Sequence, residues 1–173
     1  QNERSVFGFL ASREPMAFSD HLQVAPIRWD AMYSPSHYWD YLRTNAEPAI
    51  LSSPDGHRWA LAVDAVERAE ARGGATHIAI TKAVALIEMF RASSSLAPDN
   101  TTIQCCVAAS TEEVSQALAD LQHWKVIIHR KHLDAFGVFA GSDFDIDQAI
   151  QDVRREKAAF NLKTIEQLSD LNP

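Results

Sequence analysis

The sequence predicts a mainly α-helical fold with one small β-hairpin, arranged as a winged helix-turn-helix preceded by a helical region. Apolar residues recur at helical spacing along much of the chain, most regularly over residues 77–92. The spacing changes near Trp124, where residues 125–130 and 136–140 become rich in Val, Ile and Phe. Three helices followed by a two-stranded hairpin, within residues 76–141, is the order of a winged helix-turn-helix.

Length and composition are those of a small globular protein. The 173 residues, with a mass of 19.2 kDa, suit one ordinary domain or two very small domains that share a core. A content of 46% hydrophobic and 23% charged residues excludes disordered and collagen-like proteins. The formal net charge of -7 opposes general attraction to nucleic acid or anionic lipid, so any nucleic-acid contact must be local.

Further features predict a cytoplasmic protein without membrane contact. No stretch approaches the roughly 18–20 uninterrupted apolar residues that a membrane-spanning helix requires. Cys105 and Cys106 are neighbours in the sequence and cannot form a disulfide framework, which fits a reducing compartment. The chain begins with Gln1 rather than Met, which predicts that it is a segment of a longer protein.

Three helices are expected first. A short helix within residues 3–12 should end before Pro15, because proline disfavours helical geometry in the residue before it. A second helix should cover residues 18–22. A third should run from about residue 34 to residue 51, and Pro48 should kink or split it.

A fourth helix completes the N-terminal region. Ser53 should accept an amide proton of its first turn, with Pro54 at the first helical position, where proline loses nothing by lacking an N–H group. Gly73 and Gly74 should end this helix, because glycine tolerates left-handed backbone geometry. The N-terminal helical region is therefore predicted to span residues 1–74.

The winged helix-turn-helix is predicted to occupy residues 75–141. Its second helix, at about residues 100–108, is expected to bury the two cysteines. Ser110 or Thr111 should cap the third helix. The expected inward-facing residues of the first and third helices are Ile80, Val84, Ile87, Phe90, Val114, Ala117, Leu118 and Leu121.

Residues 142–173 are predicted to form a C-terminal helix and tail. Asp145 and Gln148, three residues apart, resemble a capping box that would open this helix.

Four sequence runs also resemble a known group of proteins. The runs are residues 2–10 (NERSVFGFL), 53–60 (SPDGHRWA), 80–87 (ITKAVALI) and 141–147 (GSDFDID). Together they resemble the C-terminal part of large bacterial P-loop ATP-binding proteins, whose members often carry a winged-helix region beyond the ATPase core. The resemblance implies an accessory region whose partner is the remainder of the parent ATPase, and it carries no ATPase residue onto this chain.

No cofactor is expected within the chain itself. A phosphate-binding loop needs Gly-x-x-x-x-Gly-Lys-Ser/Thr, so that backbone amides surround the phosphates and a lysine reaches them. The six glycines never provide this spacing, so ATP and Mg²⁺ would belong to the missing part of the parent protein. A Gly-x-Ser-x-Gly turn is also lacking, and hydrolase chemistry has no nucleophile to start from.

The hairpin carries the strongest candidate contact residues. Three formal positive charges and two imidazoles fall within eight residues of an otherwise acidic chain; the residues are Lys125, His129, Arg130, Lys131 and His132. Such a group contacts nucleic-acid phosphates without reading sequence. A solvated hairpin tip, or contact with an acidic surface of the parent ATPase, remains the alternative.

The third helix is less suited to DNA. Its expected exposed residues are Glu112, Glu113, Gln116, Asp120 and His123. Three carboxylates in a DNA groove would be repelled by the phosphates, which favours packing against protein. In a sequence-specific DNA-binding regulator, the alternative, this helix would enter the major groove, and Gln116 and His123 are its candidate contact residues.

Two groups of residues suggest enzymatic or metal-binding alternatives. Asp143, Asp145 and Asp147 follow a Gly-Ser pair, as in metal-dependent nucleotidyltransferases, but the two elements touch instead of lying roughly ten residues apart. These aspartates more simply cap the last helix. The second group is His123, His129 and His132 with Asp134. His129 and His132, three apart on a strand that enters a turn, should point to opposite faces, so the group makes a poor metal site.

Six aromatic residues suggest a base-stacking platform or a packed core. They are Trp29, Tyr33, Tyr38, Trp39, Tyr41 and Trp59. Helical spacing and the scarcity of nearby Lys or Arg favour the core or an interdomain surface.

The overall prediction is a non-catalytic accessory region that acts through protein contacts, with non-specific nucleic-acid contact through the hairpin as a second role. The competing prediction is a metal-dependent phosphoryl-transfer domain.

Overall fold

The structure is a computed structural model that describes residues 6–24 and 32–141. The chain divides into two units, Gln1–Phe139 and Ala140–Pro173, and the description covers mainly the first. The described residues are mainly helical, with one two-stranded antiparallel sheet, as predicted. The expected last helix, including Asp145 and Gln148, lies outside the described residues.

Ten elements follow one another along the described chain. They are α1 (Val6–Ala11), α2 (Phe18–Val24), α3 (Pro35–Asn45), α4 (Glu47–Leu51), α5 (Gly56–Arg72), α6 (Ala75–Ser94), α7 (Asn100–Cys106), α8 (Thr111–His123), β1 (Ile127–Arg130) and β2 (Ala135–Val138). None of these helices is long and apolar enough to cross a membrane.

The prolines act on the N-terminal helices as predicted. The helix expected over residues 34–51 is split at Ala46 into α3 and α4. Pro48 lies in the first turn of α4, where its missing N–H group costs no hydrogen bond. At the start of α3, the backbone N–H of Ser34 donates to Nδ1 of His37 over 3.1 Å, which satisfies one of the free amides of the helix end.

This cap is expected to make the stability depend on pH. Burial lowers the pKa of His37 from its ordinary value of 6.5, and neighbouring His21 and Lys82 lower it further, against the opposite effect of Asp40. The unfolded chain then binds more protons below about pH 6.5, so stability is full above that pH and falls as the pH drops through the folded-state pKa. Urea midpoints at about pH 7.5 and about pH 5.5 should differ less in His37→Gln, because glutamine can still cap but does not titrate. An unchanged difference would contradict this origin.

The start of α5 was predicted two residues too early. The helix begins at Gly56, and Ser53 does not cap it. Instead, the Ser53 hydroxyl accepts from the Asp55 N–H over 3.2 Å and donates to the carbonyl of Ile50 over 2.6 Å, so it ties the turn to the end of α4. Gly56 is required because a Cβ there would lie 2.3 Å from the carbonyl oxygen of Leu51.

Gly73 is required by close approach, and neither glycine that ends α5 has the left-handed geometry that the sequence predicts. Gly73 and Gly74 have φ values of -118° and -96°, both in the extended region. A Cβ on Gly73 would lie 2.6 Å from Cγ of His77, whereas a Cβ on Gly74 would meet nothing within 4 Å.

The two glycines therefore form a matched pair for mutation. We expect Gly73→Ala to lower the free energy of unfolding by about 1–3 kcal/mol, because the inner part of the His77 side chain must move. Gly74→Ala should cost less than about 1 kcal/mol, the loss of a favourable N-cap residue. Urea denaturation measures both changes, and equal losses would mean that the contact with His77 is not the cause.

One hydrophobic core joins the helices on both sides of residue 74. The rings of Trp39 in α3 and Trp59 in α5 are fully buried and stack with centroids 4.5 Å apart. Ile80 and Val84 bring α6 into the same core. The core continues across residue 74 and so does not mark the predicted boundary between residues 74 and 75. That boundary stays a prediction.

The two helices that precede the hairpin form as predicted, with one difference in exposure in α7 and another in α6. Ser110 caps α8 in a reciprocal capping box with Glu113, and all four expected inward residues are buried. The two differences lie earlier in the chain. Cys105 is exposed and Cys106 only half-buried, and Phe90 is 42% exposed although it was expected to face inward.

The hairpin also forms as predicted. β1 pairs antiparallel with β2, and the register aligns Ile127 with Val138 and Arg130 with Ala135. A four-residue turn joins them. Asp134 closes this turn at a φ of 45°, a left-handed conformation that aspartate tolerates better than most residues.

Candidate contact surface of α8 and the hairpin

A carboxylate of α6 fixes the hairpin. Glu88 Oε1 lies 2.5 Å from Nη1 of Arg130, and Glu88 Oε2 accepts the backbone N–H of Val138 over 2.8 Å. One side chain thus binds both strands. The Arg130 guanidinium lies over Gly137, where a Cβ would be 2.8 Å from its Cζ, so glycine leaves the space that this ion pair needs.

The outer edge of β2 is covered by the segment between α6 and α7. The backbone N–H of Phe136 donates to the carbonyl of Pro98 over 2.9 Å. With the bond from Val138 to Glu88, two outward amides of β2 are satisfied, so this edge is not open for pairing with another strand.

Helix α5 holds the base of the hairpin. Arg68 donates from Nη1 to the carbonyl of Lys125 over 2.6 Å and from Nη2 to the carbonyl of Phe139 over 3.2 Å. Its Nε also lies 2.9 Å from Oδ2 of Asp64. Lys125, two residues before β1, and Phe139, directly after β2, are therefore both bound by one side chain of the N-terminal helices.

The five predicted hairpin residues do not form one cationic surface. Lys125, Lys131 and His132 are exposed. Arg130 is turned inward onto Glu88, with its side chain 28% exposed. Nε2 of His129 lies 3.2 Å from Oδ1 of Asp134. The full positive charges that the hairpin presents to solvent are therefore those of Lys125 and Lys131. His132 lies in the turn that joins the two strands.

The exposed face of α8 is acidic and polar. Glu112, Gln116 and His123 are exposed, and α8 contains neither Lys nor Arg. Glu113 is exposed too, and its carboxylate accepts the Ser110 N–H, which lowers its pKa. The side-chain amide of Gln116 donates to Oδ1 of half-buried Asp120 over 3.0 Å, so Gln116 is not free to reach a base edge.

His77, which the sequence analysis did not select, positions this helix. Its Nδ1 accepts the N–H of Gly74 over 3.2 Å, and its Nε2 lies 3.3 Å from Oδ2 of Asp120 in α8. Its ring stacks on Trp124 with centroids 5.0 Å apart. The sequence did contain a signal for this role. His77 stands three residues after a glycine that precedes a helix, which is the position of the capping-box partner.

The remaining predicted groups do not add to the surface. Trp39, Tyr41 and Trp59 are buried, which confirms the core interpretation for these three, while Trp29 lies outside the described residues. Within residues 6–24 and 32–141, no three His, Cys, Asp or Glu side chains are placed to hold a metal ion. Asp143, Asp145 and Asp147 belong to the part that the structure does not describe.

Comparisons with known proteins identify no relative. No protein-family model, no curated protein and no solved structure matches the chain. The likeness to P-loop ATP-binding proteins consequently rests on the four sequence runs alone, and arguments about function rest on the chain itself.

Proposed function

We propose that the chain is a winged-helix accessory region of a larger ATP-binding protein, that it has no catalytic role of its own, and that it acts by binding protein through the exposed face of α8. Contact of the hairpin with nucleic-acid phosphates is a second, weaker role.

The order of elements supports the winged-helix assignment. α6, α7 and α8 precede the hairpin in the order that this fold requires. The bond between Phe136 and Pro98 adds to this, because it joins the outer strand of the hairpin to the segment between the first two helices of the proposed winged helix.

The single observation that favours protein over DNA is the charge of α8. A helix that enters the major groove reads bases mainly through Arg, Lys, Asn and Gln, and its surroundings meet phosphates. α8 offers no cation, presents Glu112 and Glu113 to solvent, and engages its Gln116 with Asp120. Polar and acidic side chains of this kind fit a protein partner that carries basic groups.

The first test concerns the proposed parent protein. The gene segment upstream of Gln1 should encode a Gly-x-x-x-x-Gly-Lys-Ser/Thr loop. The encoded ATPase region, produced separately, should bind the chain in calorimetric titration. Glu112→Lys should weaken that binding about tenfold, whereas Asp55→Asn, a loss of charge on the exposed turn before α5, should leave it unchanged. A parent without such a loop, or no binding, would refute the proposal.

The second role is tested on duplex DNA. Weak, sequence-independent retention at low salt is expected, because Lys125 and Lys131 are the two described hairpin residues that face solvent with full charge. Lys125→Glu with Lys131→Glu should abolish that retention, while Arg130→Glu alone should chiefly destabilise the protein. Retention that survives the double replacement would exclude the hairpin as the contact, and a footprint at one defined site would favour a sequence-specific regulator.

The enzymatic alternative has a separate test. Magnesium that stabilises the full chain but not the Asp145→Asn variant would point to a metal-dependent phosphoryl-transfer domain. The proposal expects the same response of both proteins.

A further inference from the structure

A cleft with a volume of about 360 Å³ opens between α2 and α3, away from α8 and the hairpin. Its size falls within the range of small-molecule sites. Residues of both helices and of the segments beside them line it, among them Met16, Asp20, His21, Tyr33, His37 and Asp40.

The charge of the cleft is negative. Asp20 and Asp40 are the charged side chains among its described lining residues. Asp40 is already paired, because its Oδ1 lies 2.7 Å from Nζ of Lys82. Asp20 uses Oδ2 to accept the backbone N–H of Met16 over 3.0 Å, and no described cation pairs with it. Asp20 is therefore the carboxylate that remains for a ligand.

The imidazole of His37 does not offset this charge. Nδ1 of His37 accepts the N–H of Ser34, and a ring nitrogen that accepts a hydrogen bond carries no proton. His37 is therefore the neutral tautomer with its proton on Nε2. Burial also lowers its pKa.

His21 supplies an unsatisfied polar atom beside the cleft. Its Nε2 is buried and has no hydrogen-bond partner among the described residues. Buried polar atoms normally have a partner, and leaving one unpaired is unfavourable. In the tautomer that carries its proton on Nδ1, this nitrogen would accept an N–H group from a ligand that reaches it.

Aromatic rings form one wall of the cleft. The Tyr33 ring lies with its centroid 5.3 Å from that of His21 and 5.3 Å from that of His37. The Tyr33 hydroxyl donates to the carbonyl of Met16 over 3.1 Å, which fixes the ring. Aromatic faces attract organic cations.

A metal ion fits these groups less well than an organic cation. An imidazole that binds a metal through Nε2 normally keeps a proton on Nδ1, and the bond from Ser34 occupies Nδ1 of His37 as an acceptor. The described residues here also include no trio of metal-ligating side chains at suitable spacing.

We propose that this cleft binds an organic cation with N–H donors, an ammonium or guanidinium group, with Asp20 as its charged partner, Nε2 of His21 as a second acceptor and the Tyr33 ring as its wall. The group could belong to a free amine or to a basic side chain of another protein. The proposal is independent of the function proposed for α8, whose tests do not involve these residues.

The experiment titrates agmatine, which carries both an ammonium and a guanidinium group, into the full chain. Binding is followed by NMR through the backbone amides around α2 and α3, with neutral butylurea as the control ligand. We expect saturable binding that is at least about tenfold tighter for agmatine than for butylurea. Equal binding of the two compounds, or shifts confined to other parts of the protein, would overturn the proposal.

Two variants with the same loss of charge locate the site. Asp20→Asn keeps an oxygen for the Met16 N–H, so the fold should be retained, and it should weaken agmatine binding about tenfold. Glu70→Gln removes one charge from the exposed surface of α5 and should have no effect. Unchanged affinity in a folded Asp20→Asn protein would contradict the assignment.

A blocked tripeptide with a central arginine distinguishes the two sources of the cation. Tighter binding of the tripeptide than of agmatine indicates a side chain of a protein partner, and weaker binding indicates a free amine. Either result supports the cleft as a cation site, whereas failure of both ligands to bind rejects it.

Discussion

Replacing Trp59 with alanine is expected to lower the free energy of unfolding by about 3–5 kcal/mol, the largest effect of any change considered. The Trp59 ring is fully buried and stacks on Trp39 at 4.5 Å, in the contact that joins α3 to α5. Its Nε1 also donates to Oε1 of Glu47 over 2.9 Å. Alanine would leave a cavity in the core and remove that bond.

Urea denaturation followed by circular dichroism measures this loss. Trp59→Phe keeps an aromatic ring against Trp39 but cannot donate to Glu47, so it should cost only about 1–2 kcal/mol. Trp124→Phe serves as a control at a half-buried tryptophan. If Trp59→Ala lowered the free energy of unfolding by less than about 1 kcal/mol, roughly the size of an ordinary surface substitution, the stacked pair would not be a centre of the core.

Replacing Glu88 with alanine should cost about 2–4 kcal/mol, the second largest effect. It would leave the half-buried Arg130 guanidinium without its carboxylate and the Val138 N–H without its acceptor. The hairpin would lose its attachment to α6 on both strands. Glu88→Gln should cost less, because the amide oxygen can still accept one of these bonds.

The two Glu88 variants also give a functional readout. Once released, Arg130 would join Lys125 and Lys131 at the surface, so Glu88→Gln should raise retention on duplex DNA at low salt. Stability that Glu88→Ala leaves unaltered would argue against the ion pair as the anchor of the hairpin. Unchanged retention in a folded Glu88→Gln protein would contradict this release of Arg130.

Elements whose signals are local were predicted from the sequence nearly to the residue. Ser110 and Glu113 sit three positions apart and cap each other, and the apolar residues of α8 then follow at helical spacing. The split between α3 and α4 followed from Pro48. The hairpin followed from two runs rich in Val, Ile and Phe around a polar turn.

The details that failed depend on contacts between distant parts of the chain. Arg130 was expected at the hairpin surface, but its partner Glu88 lies 42 residues earlier, and no local pattern links them. The start of α5 depends on the approach of Gly56 to the Leu51 carbonyl. The cleft between α2 and α3 likewise joins side chains from separate segments. The sequence shows these residues but does not show that they lie close together.

The grip of Arg68 on the hairpin sets how force would pass through the protein. Because the Arg68 guanidinium binds both Lys125 and Phe139, the hairpin tip can move outward only if both hydrogen bonds, of 2.6 and 3.2 Å, break. A molecule that pulls on Lys131 would therefore strain α5 as well, and the stiffness felt at the tip would be that of the helical bundle behind it.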